Sequence, residues 1–368
     1  MEKERIVEEE GKSNPRVLST ILFVVVFLVL AFAIAHFLPL NVGEKSNQYI
    51  SENSCFDGTF FRECSTVKPY YCTETEGLIQ KSSECGCPDN GNFTKEDDSC
   101  ISPYMSNPKE ITLNYILNGE KKSFNFVVYE GAYDYVSNIK RSIDYDGNNT
   151  PGRIDFKLKA INEEIQKAFL MPLALEIQKQ TQNKDEQARI AVSIVQSIPY
   201  GRANGETRIT GKSSVSYSRY PYEVLYNEIG ICGEKSELMS FLLRELGFGT
   251  AIFYNSQENH ESVGIKCPES ESWQGTGYCF VETSGNSIIS DISLTYSGEV
   301  KIKSKPEVLM ISTGLELSDN LGEYKDAKEL SELRDKIAKN GKLSYLDEKR
   351  YSDIKAKYGI TEEEYSLS

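Results

Sequence analysis

Nine cysteines and two histidines set the limits of what this 368-residue chain can do chemically. His36 falls inside an apolar run, so any mechanism needing an imidazole outside that run must use His260. Catalytic zinc sites built on two or three histidines are thereby excluded, and neither HExxH nor GxSxG occurs. A Cys or Ser nucleophile served by a single His stays open. Cys232 is the cysteine best placed for that role. It follows Gly230-Ile231 and opens an amphipathic segment whose Leu238, Phe241, Leu242 and Leu246 bury one side. A thiol at a helix N-terminus faces the positive end of the dipole, which favours the reactive thiolate, and the unpaired N–H groups there can hold an oxyanion. The rival reading is an inert core cysteine.

Pairing bears on that choice. Cys55, Cys64, Cys72, Cys85, Cys87 and Cys100 lie in one short stretch without a CxxC pair, which reads as a disulfide framework in an oxidising compartment. Zinc is the competing reading, but the spacing is wrong and no histidine is near. Six cysteines allow 15 pairings, and the sequence does not choose among them. Cys267 and Cys279 end and begin two apolar segments that flank one loop, a second candidate bridge. Cys232 is then the one thiol left over, and an unpaired thiol in an oxidising setting calls for a chemical explanation.

The residues around Cys232 carry a resemblance. Gly230-Ile231-Cys232-Gly233-Glu234, followed by Leu238, Leu242, Leu243-Arg244 and Leu246-Gly247-Phe248, is similar to the nucleophile helix of the transglutaminase-like superfamily. Asn259-His260-Glu261-Ser262-Val263-Gly264 resembles that family's histidine motif, and Tyr278-Cys279-Phe280-Val281-Glu282-Thr283 its acidic strand. Arg219-Tyr220-Pro221-Tyr222-Glu223-Val224-Leu225 resembles the lead-in of membrane-anchored archaeal members. The likeness spans about residues 183–300. It implies an α+β, papain-like core in which Cys232 attacks a carboxamide carbon, His260 moves the proton and a carboxylate orients the ring. Glu282 takes the third role where the family usually has Asp; Asp291 is a poorer alternative. The family's oxyanion donor upstream of the cysteine has no clear match, and Tyr217 and Tyr220 are the candidates. Trp273 either lines a substrate groove or caps its loop. No metal or organic cofactor is implied. The substrate class implied is protein or peptide amide, with hydrolysis favoured over cross-linking. A non-catalytic surface binding or adhesion protein on the same fold is the alternative.

The elements that must hold these residues can be read along the chain. Residues 17–40 (VLSTILFVVVFLVLAFAIAHFLPL) are long and apolar enough to span a bilayer as a helix and lack a small-residue cleavage site. Lys3, Arg5, Lys12 and Arg16 precede that span, whereas Lys45 is the one basic residue soon after it, so residues 1–16 should stay cytoplasmic and the remainder extracytoplasmic at the cell membrane. Residues 41–54 read as a spacer, and 55–100 as a loop-rich module held by disulfides rather than by a core. Asn92 and Asn148 head candidate glycosylation sequons, with Pro151 close behind the second.

In 109–182 a β-hairpin turning at Asn118-Gly119 precedes a helical stretch in which Pro172 should kink or split the helix. Within the 183–300 core, a helix from Asp185 stops at Pro199-Tyr200-Gly201, and 202–219 read as a long loop. The Cys232–Leu246 helix is followed by strands at Thr250–Tyr254, Ser262–Cys267 and Tyr278–Thr283, an α+β order. Residues 318–358 form a charged helical appendage. A net charge of −14, from 41 Lys and Arg against 55 Asp and Glu, argues against nucleic acid as a partner and sets no oligomeric state.

Overall fold

The computed structural model describes residues 53–361, apart from 56, 90–92, 146, 148–149, 203–205, 211–212, 217 and 293–300 and the side chains of 206–216. The apolar run 17–40, the tail before it, most of the spacer, Asn92, Asn148 and Tyr217 lie outside the described residues. Among the described residues, no helix is long and apolar enough to cross a membrane.

The chain begins with two small hairpins, β1 (Tyr70–Thr73) with β2 (Gly77–Gln80) and β3 (Thr94–Glu96) with β4 (Ser99–Ile101), separated by a helical turn α1 (Ser82–Cys85). Three bridges tie them: Cys55–Cys72, Cys64–Cys85 and Cys87–Cys100. The region is more than a disulfide knot. Val67, Tyr70 and Leu78 form an apolar cluster that continues onto Met171 and Ala174.

A long hairpin follows, β5 (Pro108–Leu117) with β6 (Glu120–Tyr129), its turn at Asn118-Gly119, both with positive φ. Then come α2 (Glu130–Ser137), α3 (Arg153–Ile161), α4 (Glu164–Gln180) and α5 (Lys184–Ser197). Pro172 sits inside α4 without ending it; the break falls earlier, where the Glu163 side chain accepts the Gln166 N–H and starts a new helix. Asn183 caps α5 through the Glu186 N–H, and Pro199 cannot continue it. Residues 202–219 are not all loop, because β7 (Glu206–Thr210) and β8 (Ser213–Ser216) pair there. A short helix α6 (Pro221–Asn227) leads to α7 (Cys232–Glu245).

The site's scaffold is α7 laid across a four-stranded antiparallel sheet of β9 (Thr250–Asn255), β10 (His260–Lys266), β11 (Tyr278–Val281) and β12 (Glu307–Ser312), in the order β11-β10-β9-β12. The fold is α+β. Leu238, Leu242 and Leu246 of α7 meet Ile252, Val263, Ile265 and Val281 in the main core, shared with the β5–β6 hairpin and α5. The sheet's other face is covered by Trp273, packed edge-on against Phe253 and Phe280 with ring centroids 5.1 Å from each. Trp273 therefore caps its loop. Gly264 makes this layer possible, since a Cβ there would stand 2.6 Å from the Phe253 ring.

Two further helices, α8 (Gly322–Asn340) and α9 (Tyr345–Tyr358), close the described chain. Leu330, Leu333 and Ile354 bury against Ile288, while Leu346 stands in solvent. Asp326 joins the two helices by accepting from Lys357 at 2.7 Å and the Tyr358 hydroxyl at 2.9 Å.

The Cys267–Cys279 bridge ties the end of β10 to the start of β11 across twelve positions of sequence. Closing a loop of that length removes unfolded-state entropy worth about 3 kcal/mol. Replacing both cysteines by serine should lower the denaturant-unfolding free energy by roughly that amount; an unchanged midpoint and slope would show that the bridge adds nothing to the β10–β11 pairing.

Candidate active site

Cys232 is the first residue of α7, half-buried, and the one free cysteine among the described residues. The turn before it is fixed by Glu234, whose carboxylate accepts the Ile231 N–H at 3.0 Å, the Arg219 N–H at 2.8 Å and the Arg219 guanidinium at 3.0 Å. With its oxygens so engaged, Glu234 closes the helix start. The Thr283 hydroxyl donates to the Cys232 carbonyl at 3.2 Å, tying the turn to the chain that leaves β11.

His260 opens β10, placed by a tight β9–β10 turn in which Asn259 takes a left-handed φ of 48°. Its Nε2 lies 2.9 Å from Glu282 Oε2, and the Cys232 side chain is close enough to the ring to raise its pKa. Glu282 follows β11 and is wholly buried; its other oxygen accepts the Ser284 N–H at 2.8 Å and hydroxyl at 2.6 Å.

Charge follows geometry here. Burial works against both ions, and their mutual attraction and hydrogen bonds more than offset it. Burial pushes the His260 imidazole down, while the Glu282 charge and the contact with Cys232 raise it to about 10. Burial pushes Glu282 up, while the His260 charge and the Ser284 bonds hold it at about 2. The structure thus brings a thiol, an imidazolium and a carboxylate into one chain of contacts.

The remaining candidates fall elsewhere. The Tyr220 ring is buried beneath the Arg141 guanidinium, 3.9 Å from its centroid. Asp291 is held by Arg334 of α8 through bonds of 2.9 and 2.7 Å, so its carboxylate is committed to the C-terminal helices. The tyrosine that senses the thiol is Tyr200. Burial raises its phenol's pKa and the Cys232 charge adds to that effect, yet 47% of the residue is exposed. It is set beside the turn before Cys232 by a parallel bridge to Gly230, with the Gly230 N–H donating to Pro199 O and the Gly201 N–H to Gly230 O, both at 3.2 Å. Its only sequence signal was a helix stop, Pro199-Tyr200-Gly201, which names the turn but not its neighbour. Among the described residues, no group of three or more His, Cys, Asp or Glu is arranged to hold a metal ion.

No protein-family model and no curated protein matches the chain. Among solved structures, calcium-bound LapG of Legionella pneumophila is similar at 16% identity over 43% of this chain and 97% of that one, with a TM-score of 0.22. A superposition so loose carries no argument, and the chemistry rests on the site's own geometry.

The two shifts fix the pH range of the His260–Glu282 pair. The raised histidine contributes stability in full below its ordinary 6.5, lost as pH rises through about 10. The depressed carboxylate contributes above its ordinary 4.5, lost as pH falls through about 2. Glu282→Gln removes the counter-charge, so the His260 ring signal followed by NMR should titrate well below pH 10, toward 6.5. A midpoint unchanged by the substitution would deny the pairing.

Proposed function

We propose that this chain is a thiol enzyme of the transglutaminase-like kind that opens amide bonds in proteins or peptides. One observation carries the reading: the only histidine among the described residues bridges a wholly buried carboxylate and the one free thiol. The Cys232 thiolate attacks the amide carbon to give a tetrahedral oxyanion, which N–H groups at the start of α7 would receive, with Tyr200, bridged to Gly230, as the candidate side-chain donor. The C–N bond breaks as His260 gives its proton to the departing amine, leaving a thioester on Cys232. Water, deprotonated by the now neutral His260, attacks the thioester, and the acid product leaves as the thiolate–imidazolium pair is restored. A lysine amine in place of water would give a cross-link by the same route. Glu282 holds the ring's orientation throughout.

The proposal includes a place in the cell: residues 17–40 anchor the chain in the membrane and the described part lies outside. Four disulfides among the described residues support that placement. Protease treatment of intact cells should then release a soluble fragment beginning beyond residue 41; a fragment freed only after lysis would place it inside.

Iodoacetamide without reductant should alkylate Cys232 alone, faster at neutral pH than a model thiol, and His260→Ala should slow that reaction. Cys232→Ala should abolish peptide-amide hydrolysis, and His260→Ala should lower it by about 100-fold or more. Hydrolysis that survives Cys232→Ala would end the enzymatic account.

A further inference from the structure

One buried ion cluster stands beside the site and has no part in the chemistry above. Lys157 of α3 reaches between the nucleophile helix and the histidine strand. Its Nζ lies 2.8 Å from Glu237 Oε1 on α7 and 2.7 Å from Glu261 Oε2 on β10. Arg153, one turn earlier on α3, meets the second oxygen of Glu261 at 2.9 Å and stacks over the Tyr254 ring at 3.5 Å. Two cations and two carboxylates balance.

The sequence positions are telling. Glu261 follows His260, and Gly233 follows Cys232. A Cβ on Gly233 would stand 2.5 Å from Glu261 Oε2 and 3.4 Å from Lys157 Nζ. The ion cluster is therefore packed directly against the backbone next to the nucleophile and is covalently next to the base. A bare glycine at 233 is what admits it.

The cluster is costly to keep. Lys157, Glu237 and Glu261 are nearly buried, with side-chain exposures of 11%, 6% and 8%. Burial pushes Glu237 up to about 7 despite Lys157, and its second oxygen has no hydrogen-bond partner. Lys157 remains charged because the two carboxylates outweigh its own burial. Apolar packing would join α3 to α7 at lower cost, so the placement of these charges invites a functional reason.

We propose that Lys157 is a positioning residue for the Cys232–His260 pair, fixing the separation of the α7 turn and the start of β10 by gripping Glu237 and Glu261. The inference rests on the catalytic reading of that pair. Lys157 touches neither the sulfur's substrate nor the ring. It acts by preventing the two elements from sliding apart, and small displacements of reacting groups cost large factors in rate.

The test uses the full chain and the pH profile of Cys232 alkylation by iodoacetamide, with circular dichroism to report folding. Wild type against His260→Ala tests the catalytic pair itself: no difference between them would sink that reading. Lys157→Met then tests the pin. In the folded variant we expect alkylation at pH 7 slowed by about tenfold or more, with the profile moved from that of wild type toward that of His260→Ala. Gly233→Ala, which pushes Glu261 away without altering any charge, should shift the profile in the same sense and decides the matter if Lys157→Met does not fold. Lys159→Met serves as control, because that amine holds only the carbonyls of Lys140 and Ser142, at 2.7 Å each; it should lower stability and leave the profile alone. A wild-type profile in folded Lys157→Met, or in Gly233→Ala, would reduce the cluster to ordinary packing.

Discussion

The contact of 2.9 Å between His260 Nε2 and Glu282 Oε2 places a demand on everything around it. A carboxylate taken wholly out of water loses several kcal/mol of hydration, which only well-made hydrogen bonds and a facing charge return. Glu282 has both, from Ser284 on one oxygen and the imidazolium on the other. The two partners sit on neighbouring antiparallel strands, so their meeting depends on register. A slip of one residue between β10 and β11 would turn every side chain to the opposite face and separate them. The pairing of Val263 with Val281 is buried in the main core and resists such a slip. The Cys267–Cys279 bridge closes the same two strands at their far end.

Cross-bracing extends that constraint to the other elements. The Gln196 amide, at the end of α5, donates to the Glu282 carbonyl and to the Ser287 hydroxyl, at 2.9 Å each. Lys235, three residues past Cys232 and fully buried, donates to the Ile198 carbonyl at 2.5 Å and the Gln196 carbonyl at 3.4 Å. The end of α5 thus grips the strand that leads to Glu282 and the helix that begins at Cys232, and from it the chain runs on to Tyr200. Carbonyls at a helix C-terminus suit a cation, because they carry the negative end of the dipole and have no partners within the helix. Thr283, next to Glu282, adds a direct tie to the Cys232 carbonyl. A site held at helix and strand ends in this way, with Ser284 and Thr283 of the segment after β11 adding their bonds, keeps its geometry.

How much of this could be read from the chain alone follows a physical line. Cys232 stood out because the other eight cysteines had plausible mates, and His260 because it had no rival. Both are arguments from scarcity. Glu282 came from strand texture, Tyr-Cys-Phe-Val ending in an acid. What escaped were residues whose meaning depends on distant partners. Tyr200 read as part of a helix stop, since its neighbour Gly230 is thirty positions on. Lys157 and Glu237 drew no notice on their amphipathic helices, because nothing in a 3.6-residue period says which charged residue turns inward. β12 was missed for a similar reason. It joins the sheet beside β9, some fifty residues back, and local alternation does not announce such an addition. The 206–216 hairpin was lost among glycines and serines whose composition says loop, although Thr207, Ile209 and Val215 have the β-branched character of strands.

The thiol proposed above to open amides would also be a nucleophile toward disulfides, so a chain carrying both must keep them apart. Exchange requires a thiolate to approach one sulfur in line with the other, through a mixed disulfide. The nearest bridge in sequence, Cys267–Cys279, closes the end of β10 opposite to His260, about 20 Å away by the rise of seven extended residues. It is also sealed: Cys279 is fully buried and Cys267 nearly so. The remaining three bridges belong to the first fifty described residues, and one of them, Cys55–Cys72, packs in the cluster that includes Met171 and Ala174 of α4, whereas Cys232 begins α7. In the extracytoplasmic setting proposed above, the separation serves both sides, since the bridges hold strands in register while the sulfur stays reduced. Half-burial of Cys232 completes the arrangement. Part of the sulfur's surroundings is thereby closed to an approaching disulfide.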